Sequence, residues 1–181
     1  NNAKIISANP DSVDAVELKA QLVRSQVKLK QTEMLLSVTK RIAGLQNLTE
    51  ILWTLIEMTT EELGAERGTL FLHDPLSGEL YSRLAQGDLT REIRILNTTG
   101  IAGAVFQSGT GEAVHHPYED ERFNKAIDEQ TGYVTKNIIC APVKTVRNDI
   151  LGVIQILNKK KGRFTKDDLE ILEAITAQAA V

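Results

Sequence analysis

The side chains that most often perform catalysis or bind metals are sparse in this sequence. It has one cysteine, Cys140, inside the apolar run 138–141, and three histidines, His73, His115 and His116. The last two are adjacent, so in a regular element their side chains diverge and cannot share a metal ion. The sequence contains no HExxH pair, nucleophile elbow, Walker loop or GxGxxG fingerprint. These residues therefore disfavour a hydrolase, a redox enzyme or a metal site, and a buried structural thiol is the ordinary interpretation of Cys140.

One polar segment has the composition of an anion site. Thr98-Thr99-Gly100-Ile101-Ala102-Gly103 lies where a predicted strand ends and a predicted helix begins. The unbonded N–H groups at a helix N-terminus, together with the helix dipole, bind an anion without a cationic side chain. Gly100 and Gly103 would let the backbone approach a ligand closely. A simple turn is the alternative, because glycine-bounded helix starts are common.

A second polar segment runs from Asp128 to Ile138 and places a carboxylate and two threonine hydroxyls around a glycine turn. The hydroxyls of Thr131 and Thr135 both donate and accept hydrogen bonds, which suits ribose hydroxyls and phosphate oxygens. The alternative is local capping, in which Asp128 and Thr131 bond nearby amides. Together the two segments favour a pocket for a phosphate-bearing ligand.

A long helix is predicted ahead of these segments, over residues 11–45. Its apolar residues repeat every 3.5 positions on average, which is typical of a seam for a partner helix. The first series comprises Val16, Ala20, Val23, Val27, Lys30 and Met34. Packing on its own domain is the alternative, but a dimer-forming coiled-coil helix or signalling linker is favoured.

The remaining elements follow in the order helix, three strands, helical crossover, two strands and a final helix that begins after Thr165. The stretch 109–120 is predicted to be irregular. Strands grouped apart from helices predict an α+β fold, with an antiparallel sheet and helices on its faces. We therefore divide the chain into a linker or dimerisation helix, residues 1–45, and a globular domain, residues 46–181.

The composition sets the general class of protein. The chain has 181 residues, of which 42% are hydrophobic and 25% charged, so wholesale disorder is excluded. A net charge of −3 disfavours nonspecific binding to nucleic acid or an anionic membrane. No apolar run approaches the roughly 20 residues of a membrane span, and the polar first residues do not resemble a signal peptide. An intracellular, cytoplasmic module, cut from a longer polypeptide, is therefore expected.

Three groups of residues resemble the GAF domain family, and within it the cyclic-nucleotide-binding branch of phosphodiesterases and cyanobacterial adenylyl cyclases. The first group comprises Asn158, Lys159, Phe164 and Asp168. Leu169 stands where that branch carries Glu. The second group is the Thr-Gly-Tyr-x-Thr-x-Asn-Ile string at 131–138, and the third is Gly-Ile-Ala-Gly at 100–103. The resemblance covers residues 45–181.

The resemblance implies a sheet of about six strands, helices behind it, and a ligand enclosed on the opposite face. The implied ligand-binding residues are Arg67, Thr69, Ile101, Ala102, Asp128, Thr131, Thr135 and Gln155. In this arrangement the amides of Ile101 and Ala102 meet a cyclic phosphate. Arg67 and Thr69 face the purine, and Phe123 and Tyr133 are candidates to cover it. Lys159 is expected to pair with Asp168 and to tie the last strand to the final helix, without touching ligand.

The resulting hypothesis is a regulatory domain, not itself an enzyme, that binds cAMP or cGMP and requires no metal or cofactor. We expect residues 110–136, here called the closing segment, to fold over the nucleotide and bias the flanking helices. Those helices would signal to an effector domain outside this sequence, such as that of an adenylyl cyclase, a phosphodiesterase or another signalling enzyme. We favour cAMP through the resemblance, because Arg67 and Thr69 offer adaptable donors that do not alone select a purine.

Two other classes of function stay open. The domain could be a dimerisation scaffold without a nucleotide, with homodimers formed through the N-terminal helix, or it could sense another small molecule. GAF-type methionine sulfoxide reductases and bilin photoreceptors are disfavoured, because the former use several cysteines and the latter a Cys-His pair. Here Ala141 follows the single cysteine, Cys140.

Overall fold

The computed structural model describes residues 10–43, 48–85 and 92–178. Within these ranges the helices are α1 (Pro10–Ile42), α2 (Leu48–Glu62), α3 (Gly100–Ser108), α4 (Lys125–Thr131) and α5 (Lys166–Gln178). The strands are β1 (Ala65–Asp74), β2 (Glu79–Ala85), β3 (Arg94–Leu96), β4 (Glu112–Val114), β5 (Ile138–Lys144) and β6 (Ile150–Lys159). A 3₁₀ turn, Pro117–Glu119, lies between β4 and α4. No helix in these ranges has both the length and the apolar character needed to cross a membrane.

The strands form one six-stranded sheet in the order β3-β2-β1-β6-β5-β4. Every neighbouring pair is antiparallel. The predicted α+β fold with an antiparallel sheet is therefore confirmed. The two long strands at its centre, β1 and β6, pair so that Thr69 lies opposite Gln155 and Arg67 opposite Leu157.

The strand β4 corrects the expectation of an irregular stretch at 109–120. It pairs with β5 at the sheet edge, with Val114 opposite Ile138 and Glu112 opposite Cys140. Three residues are too few for the alternation of apolar and polar side chains to be visible in a sequence. The strand β4 is therefore stabilised by its backbone pairing with β5, and the pattern of its own residues does not predict it.

The two faces of the sheet have different neighbours. On one face α2 packs on β1 and α5 packs on β5, and the two helices contact each other. A Cβ at Gly68 of β1 would lie 2.7 Å from Ile56 of α2, so the close approach of α2 requires glycine there. Side chains alternate along a strand, so Arg67, Thr69 and Phe71 point to the opposite face. That face, here called the cavity face, is the one against which α3 packs, on β5 and β6.

The described residues form two compact units, of which the first ends at Ser37 and the second begins at Val38. In the first unit, α1 leaves large apolar side chains exposed, among them Val16, Leu18, Leu22 and Leu29. The predicted long N-terminal helix is therefore present. The predicted domain boundary between residues 45 and 46 lies outside the described residues, which lack 44–47, and it stays a prediction.

Candidate functional site

A cavity of about 800 Å³, counting the solvent in its mouth, lies between the cavity face and the closing segment. All the residues implied as ligand-binding line it, namely Arg67, Thr69, Ile101, Ala102, Asp128, Thr131, Thr135 and Gln155. Apolar side chains complete the wall, including Phe71, Ile95, Ile127 and Leu157. The structure therefore brings together residues that are up to 88 positions apart, from 67 to 155.

The N-terminus of α3 forms part of the wall of this cavity. Its N-cap residue, Thr99, has extended backbone and makes no capping hydrogen bond through its side chain. Gly103 N donates to Thr99 O at 3.1 Å, which is the bond that begins the helical pattern. The N–H groups of the three preceding residues, Gly100 to Ala102, precede that bond and cannot be satisfied within the helix. An anion in the cavity can accept from them and is stabilised by the helix dipole.

The two glycines of this turn serve the backbone rather than the ligand. Gly100 has a φ of +74°, a conformation that residues with a Cβ rarely adopt. A Cβ at Gly103 would lie 2.7 Å from the carbonyl carbon of Thr98. Gly103 therefore lets α3 pack on the turn before it. This packing explains the glycine without the close approach of a ligand that was expected from the sequence.

The floor of the cavity is polar where β1 and β6 meet. Thr69 and Gln155 are directly opposite each other across the two strands, and both side chains line the cavity. Cross-strand neighbours on one face stand about 5 Å apart at their Cβ atoms. A hydroxyl and an amide thus lie side by side, and each can both donate and accept. This pair can match either hydrogen-bonding polarity of a base edge.

Asp128, a buried residue of α4, connects separate parts of the closing segment through hydrogen bonds. Its Oδ2 accepts from Thr135 N at 2.7 Å, and its Oδ1 accepts from Thr135 Oγ1 at 2.8 Å. Tyr118 Oη, in the 3₁₀ turn, donates to Asp128 Oδ2 at 2.8 Å. This hydrogen bond is the main cause that raises the pKa of Tyr118. The carboxylate therefore joins the 3₁₀ turn, α4 and the residues before β5.

Thr131 makes the local contacts that the sequence left as an alternative. Its Oγ1 donates to Ile127 O at 2.9 Å, one helical turn back, and accepts from Tyr133 N at 3.4 Å. Gly132 follows with a φ of +68° and ends α4. Thr131 therefore caps the end of α4 at the edge of the cavity, and a role toward ligand stays a prediction.

Tyr133 joins the closing segment to β1. Its hydroxyl donates to Glu66 Oε2 at 2.9 Å, and the Arg67 guanidinium carbon lies 4.1 Å from the centre of its ring. Asn158 Nδ2 also donates to Glu66 Oε2, at 3.1 Å. These contacts lower the pKa of Glu66, chiefly through the Asn158 hydrogen bond and then through Tyr133, Lys136 and Arg67. Burial, followed by the bond to Glu66, raises the pKa of Tyr133.

Asn158 and its neighbours connect the closing segment to α5. Asn158 adopts a φ of +57° at the end of β6, where its Oδ1 accepts from Lys136 N at 2.7 Å and its Nδ2 donates to Val134 O at 2.9 Å. The next residue, Lys159, forms an ion pair with Asp168 in the first turn of α5. Asp168 Oδ2 also accepts from Thr165 N at 2.7 Å, which caps the helix. The Lys159–Asp168 pair expected from the sequence is present, outside the cavity lining.

Arg122 stabilises the first part of the closing segment. Its guanidinium donates to both carboxylate oxygens of Glu112 on β4, at 2.7 and 2.9 Å, and to Asp120. These hydrogen bonds raise the pKa of Arg122 and lower that of Asp120. Phe123, the next residue, lines the cavity. Neither Arg122 nor Tyr118 is predicted from the sequence, because nothing in their spacing pairs them with Glu112 or Asp128.

The cysteine and the histidines lie away from the cavity lining. Cys140 is fully buried in β5, and this burial raises the pKa of its thiol. His73 Nε2 lies 3.1 Å from Asn97 Nδ2, and its ring stacks near Phe106. Within the part of the chain that the structure describes, no three His, Cys, Asp or Glu residues are grouped as a metal site.

A six-stranded antiparallel sheet with a cavity between one face and its crossover segment defines the class of α+β domain to which this fold belongs. The sequence model of the GAF domain matches residues 47–181, and the chain belongs to the GAF domain family. The membership implied by the sequence motifs is thereby confirmed.

Cyclic-nucleotide phosphodiesterases are among its relatives. A probable 3′,5′-cyclic phosphodiesterase of Caenorhabditis elegans is 32% identical over 157 residues, covering 80% of this chain and 21% of that protein. The dual 3′,5′-cyclic-AMP and -GMP phosphodiesterase 11 of Drosophila melanogaster is 31% identical over 172 residues, covering 85% of this chain and 12% of that protein. The chain thus spans about a fifth or less of the length of these relatives.

Solved GAF structures share the fold. The GAF domain of a phosphoenolpyruvate-protein phosphotransferase from Coxiella burnetii has a TM-score of 0.75 and 16% identity, covering 83% of this chain and 90% of that chain. A free methionine-R-sulfoxide reductase from Neisseria meningitidis has a TM-score of 0.71 and 18% identity, covering 82% and 85%. At these identities the likeness extends to the fold alone.

Proposed function

We propose that this chain is a regulatory GAF domain that binds a cyclic nucleotide between the cavity face and the closing segment. The observation that carries this proposal is the gathering of all the ligand-binding residues implied by the motifs around one cavity. They come from β1, α3, α4, the end of the closing segment and β6. The names of the phosphodiesterase relatives, which act on cyclic nucleotides, support the same class of ligand.

Two parts of the cavity wall suit the two parts of a cyclic nucleotide, its phosphate and its purine. The free N–H groups of Ile101 and Ala102 at the α3 N-terminus suit the cyclic phosphate, which carries one negative charge. The floor formed by Thr69 and Gln155, with Arg67 beside them, suits the purine. Adenine offers both an acceptor and an amino donor on its edge, whereas guanine offers two acceptors on its N7 and O6 side.

We propose cAMP as the preferred ligand. This preference is drawn from the family resemblance, because the donors of Arg67 suit acceptors on either purine and the Thr69 hydroxyl both donates and accepts. Gln155 presents either its carbonyl or its amino group by rotation, so it serves adenine and guanine alike. The preference is therefore expected to be modest.

We propose that ligand binding signals through α5 and α1 to an effector domain outside this sequence. The route begins at Val134 and Lys136, whose backbone groups bond Asn158, and continues through the Lys159–Asp168 pair to α5. A ligand shifts this equilibrium only if it binds the closed arrangement better than the open one. The closing segment supplies part of the cavity wall, which supports a preference of the ligand for the closed arrangement.

Thermal unfolding with added cAMP, cGMP and 5′-AMP tests the ligand. A nucleotide at a hundredfold excess over its dissociation constant stabilises the folded state by about 2.7 kcal/mol. We expect cAMP to raise the melting temperature most, cGMP less and 5′-AMP least. Absence of stabilisation by both cyclic nucleotides, at millimolar concentration, would refute nucleotide sensing. Mass spectrometry of small molecules extracted from the purified protein would then identify a different occupant.

A dimerisation role is a second candidate, favoured by the exposed apolar residues of α1. Leu22 is 59% exposed and Val23 52% exposed on a helix whose apolar residues repeat at 3.5-residue spacing. We propose that a second copy of α1 covers them. Sedimentation velocity of Leu22→Glu, with Gln21→Glu as the matched control, tests this. We expect the Leu22 variant to lose dimer that the control retains, and equal dimer content would contradict it.

A further inference from the structure

Tyr133 contacts two consecutive residues of β1 at once. Its hydroxyl donates to Glu66, at 2.9 Å, and its ring lies against the Arg67 guanidinium, whose carbon is 4.1 Å from the ring centre. Glu66 and Arg67 point to opposite faces of the strand, so Tyr133 spans the edge of β1. Tyr133 and Arg67 both line the cavity, whereas Glu66 lies outside it.

We propose that Tyr133 is a positioning residue that holds the Arg67 guanidinium in the cavity wall and thereby sets how well the site distinguishes two purines. The inference rests on the proposed nucleotide-binding function. An arginine side chain has many rotamers, and a guanidinium recognises a base edge only when its planar donors are aimed at it. A flat aromatic face beside the guanidinium restricts those rotamers before the ligand arrives, which improves affinity by preorganisation.

The position of the Tyr133 ring is itself set by the closure of the segment that carries it. Asn158 Nδ2 donates both to Glu66 Oε2 and to Val134 O. Glu66 is the acceptor of the Tyr133 hydroxyl and Val134 is the residue after Tyr133, so Asn158 holds both of these neighbours of Tyr133 in place. Movement of Tyr133 away from β1 would break its bond to Glu66 and uncover Arg67. Discrimination between purines is therefore coupled to closure, and it is strongest in the closed arrangement.

This role differs from the one suggested by sequence, in which Tyr133 covers the base. In the structure the ring covers the arginine that is expected to meet the base. The distinction is testable, because a ring that only stacked on a purine would strengthen binding of cAMP and cGMP alike. A ring that aims Arg67 changes the ratio of the two affinities.

Calorimetric titration of the whole chain with cAMP and with cGMP tests the inference on Tyr133→Leu, Tyr133→Phe and Glu66→Ala. We expect Tyr133→Leu to weaken the preferred nucleotide about tenfold and to bring the affinity ratio toward one. Tyr133→Phe keeps the ring and loses only the bond to Glu66. Glu66→Ala removes the same bond and also the one from Asn158 Nδ2. For both variants, the affinity for the preferred nucleotide and the affinity ratio should lie between the values for Tyr133→Leu and those for the wild type. Far-UV circular dichroism and thermal unfolding establish that each variant is folded.

Tyr81→Leu is the matched control, because its ring also faces an arginine, with the Arg94 guanidinium carbon 5.2 Å from its centre, but neither residue lines the cavity. It should leave both affinities unchanged. Folded Tyr133 variants that keep the wild-type affinities and ratio would overturn the inference while the proposed function stands. A tenfold loss for both nucleotides at a constant ratio would also overturn it, in favour of simple stacking. A wild-type chain that binds neither nucleotide would refute the proposed function and this inference with it.

Discussion

The Asp128 carboxylate accepts two hydrogen bonds from Thr135, from its N–H at 2.7 Å and from its hydroxyl at 2.8 Å. Both residues are buried, with 7% and 2% of their surface exposed. The pair fixes the distance between α4 and the start of β5. Because both residues also line the cavity, the stability of the closing segment and the shape of the cavity depend on the same two side chains.

Asp128→Ala is expected to loosen the closing segment. The substitution removes the acceptor of Thr135 N, Thr135 Oγ1 and Tyr118 Oη. Leaving the two buried donors of Thr135 unpaired costs about 1–3 kcal/mol of unfolding free energy. Urea denaturation should give this loss, and hydrogen exchange should show a faster Thr135 amide. Glu129→Ala, at an exposed position on the same helix, is the control. Unchanged exchange at Thr135 would contradict the assignment.

Thr131→Ala combined with Thr135→Ala is expected to abolish nucleotide affinity while the fold is retained. The two hydroxyls lie at the end of the closing segment and line the cavity, and neither belongs to the core of the sheet. Calorimetric titration with cAMP and cGMP measures the effect. Thr145→Ala, in the hairpin between β5 and β6, removes a hydroxyl that bonds only its own turn and should bind as the wild type does. Wild-type affinity in the double variant would exclude the closing segment from binding.

The sequence was informative where a regular spacing or a local motif determines position. Arg67 and Thr69 are two residues apart on a strand, so their shared face follows from the period of two. The α3 N-terminus follows from the glycine turn at Gly100 and the apolar helix after it. A 3.5-residue apolar spacing, without Pro or Gly until Gly44, likewise predicts α1. In each of these cases the information lies within a few neighbouring residues.

Contacts between distant segments could not be predicted in the same way. Tyr118 reaches Asp128 across ten positions, and Tyr133 reaches Glu66 across 67. Tyrosines and arginines occur on many surfaces, and neither their type nor their spacing identifies a partner. The strand β4 was missed for a related reason, since its three residues are ordered by pairing with β5. These features are tertiary, and they appear only when the sheet brings its strands together.

Lys159→Met is expected to destabilise the junction of β6 and α5. Its ion pair with Asp168 is largely buried, with 20% and 11% of the two side chains exposed. The burial of this pair is therefore intermediate between that of a surface ion pair and that of a fully buried one. Its loss should lower the unfolding free energy by about 2 kcal/mol. Asp168 keeps its bond from Thr165 N, which limits the damage. Urea denaturation measures the loss, with Lys160→Met, an exposed neighbour, as the control.

A double-mutant cycle with Lys159→Met and Asp168→Asn separates the pair from the cap. If the ion pair carries the effect, the two changes together should cost less than the sum of the single changes. Additive losses would mean that Asp168 stabilises the junction through Thr165 alone.

The Arg122 network predicts a dependence of stability on acid pH. Arg122 lowers the pKa of Asp120 in the folded chain, so protonation of Asp120 is harder when folded than when unfolded. Stability from this contact is therefore present above the ordinary aspartate pKa of about 3.9 and is lost as the pH falls through the lower folded value. Arg122→Gln should remove that contribution, so the stabilities of variant and wild type should converge at the acid end of the titration.

The effect of Arg122→Gln at neutral pH should be about 1 kcal/mol, because the guanidinium and both of its carboxylate partners are partly exposed to solvent. Urea denaturation at a series of pH values between about 2 and 7 measures the difference, and addition of salt should reduce it. Arg147→Gln, at an exposed position in the β5–β6 hairpin, is the control. A difference between Arg122→Gln and the wild type that stays constant across the titration would assign Arg122 a packing role instead, because only an electrostatic contact with Asp120 disappears when that carboxylate is protonated.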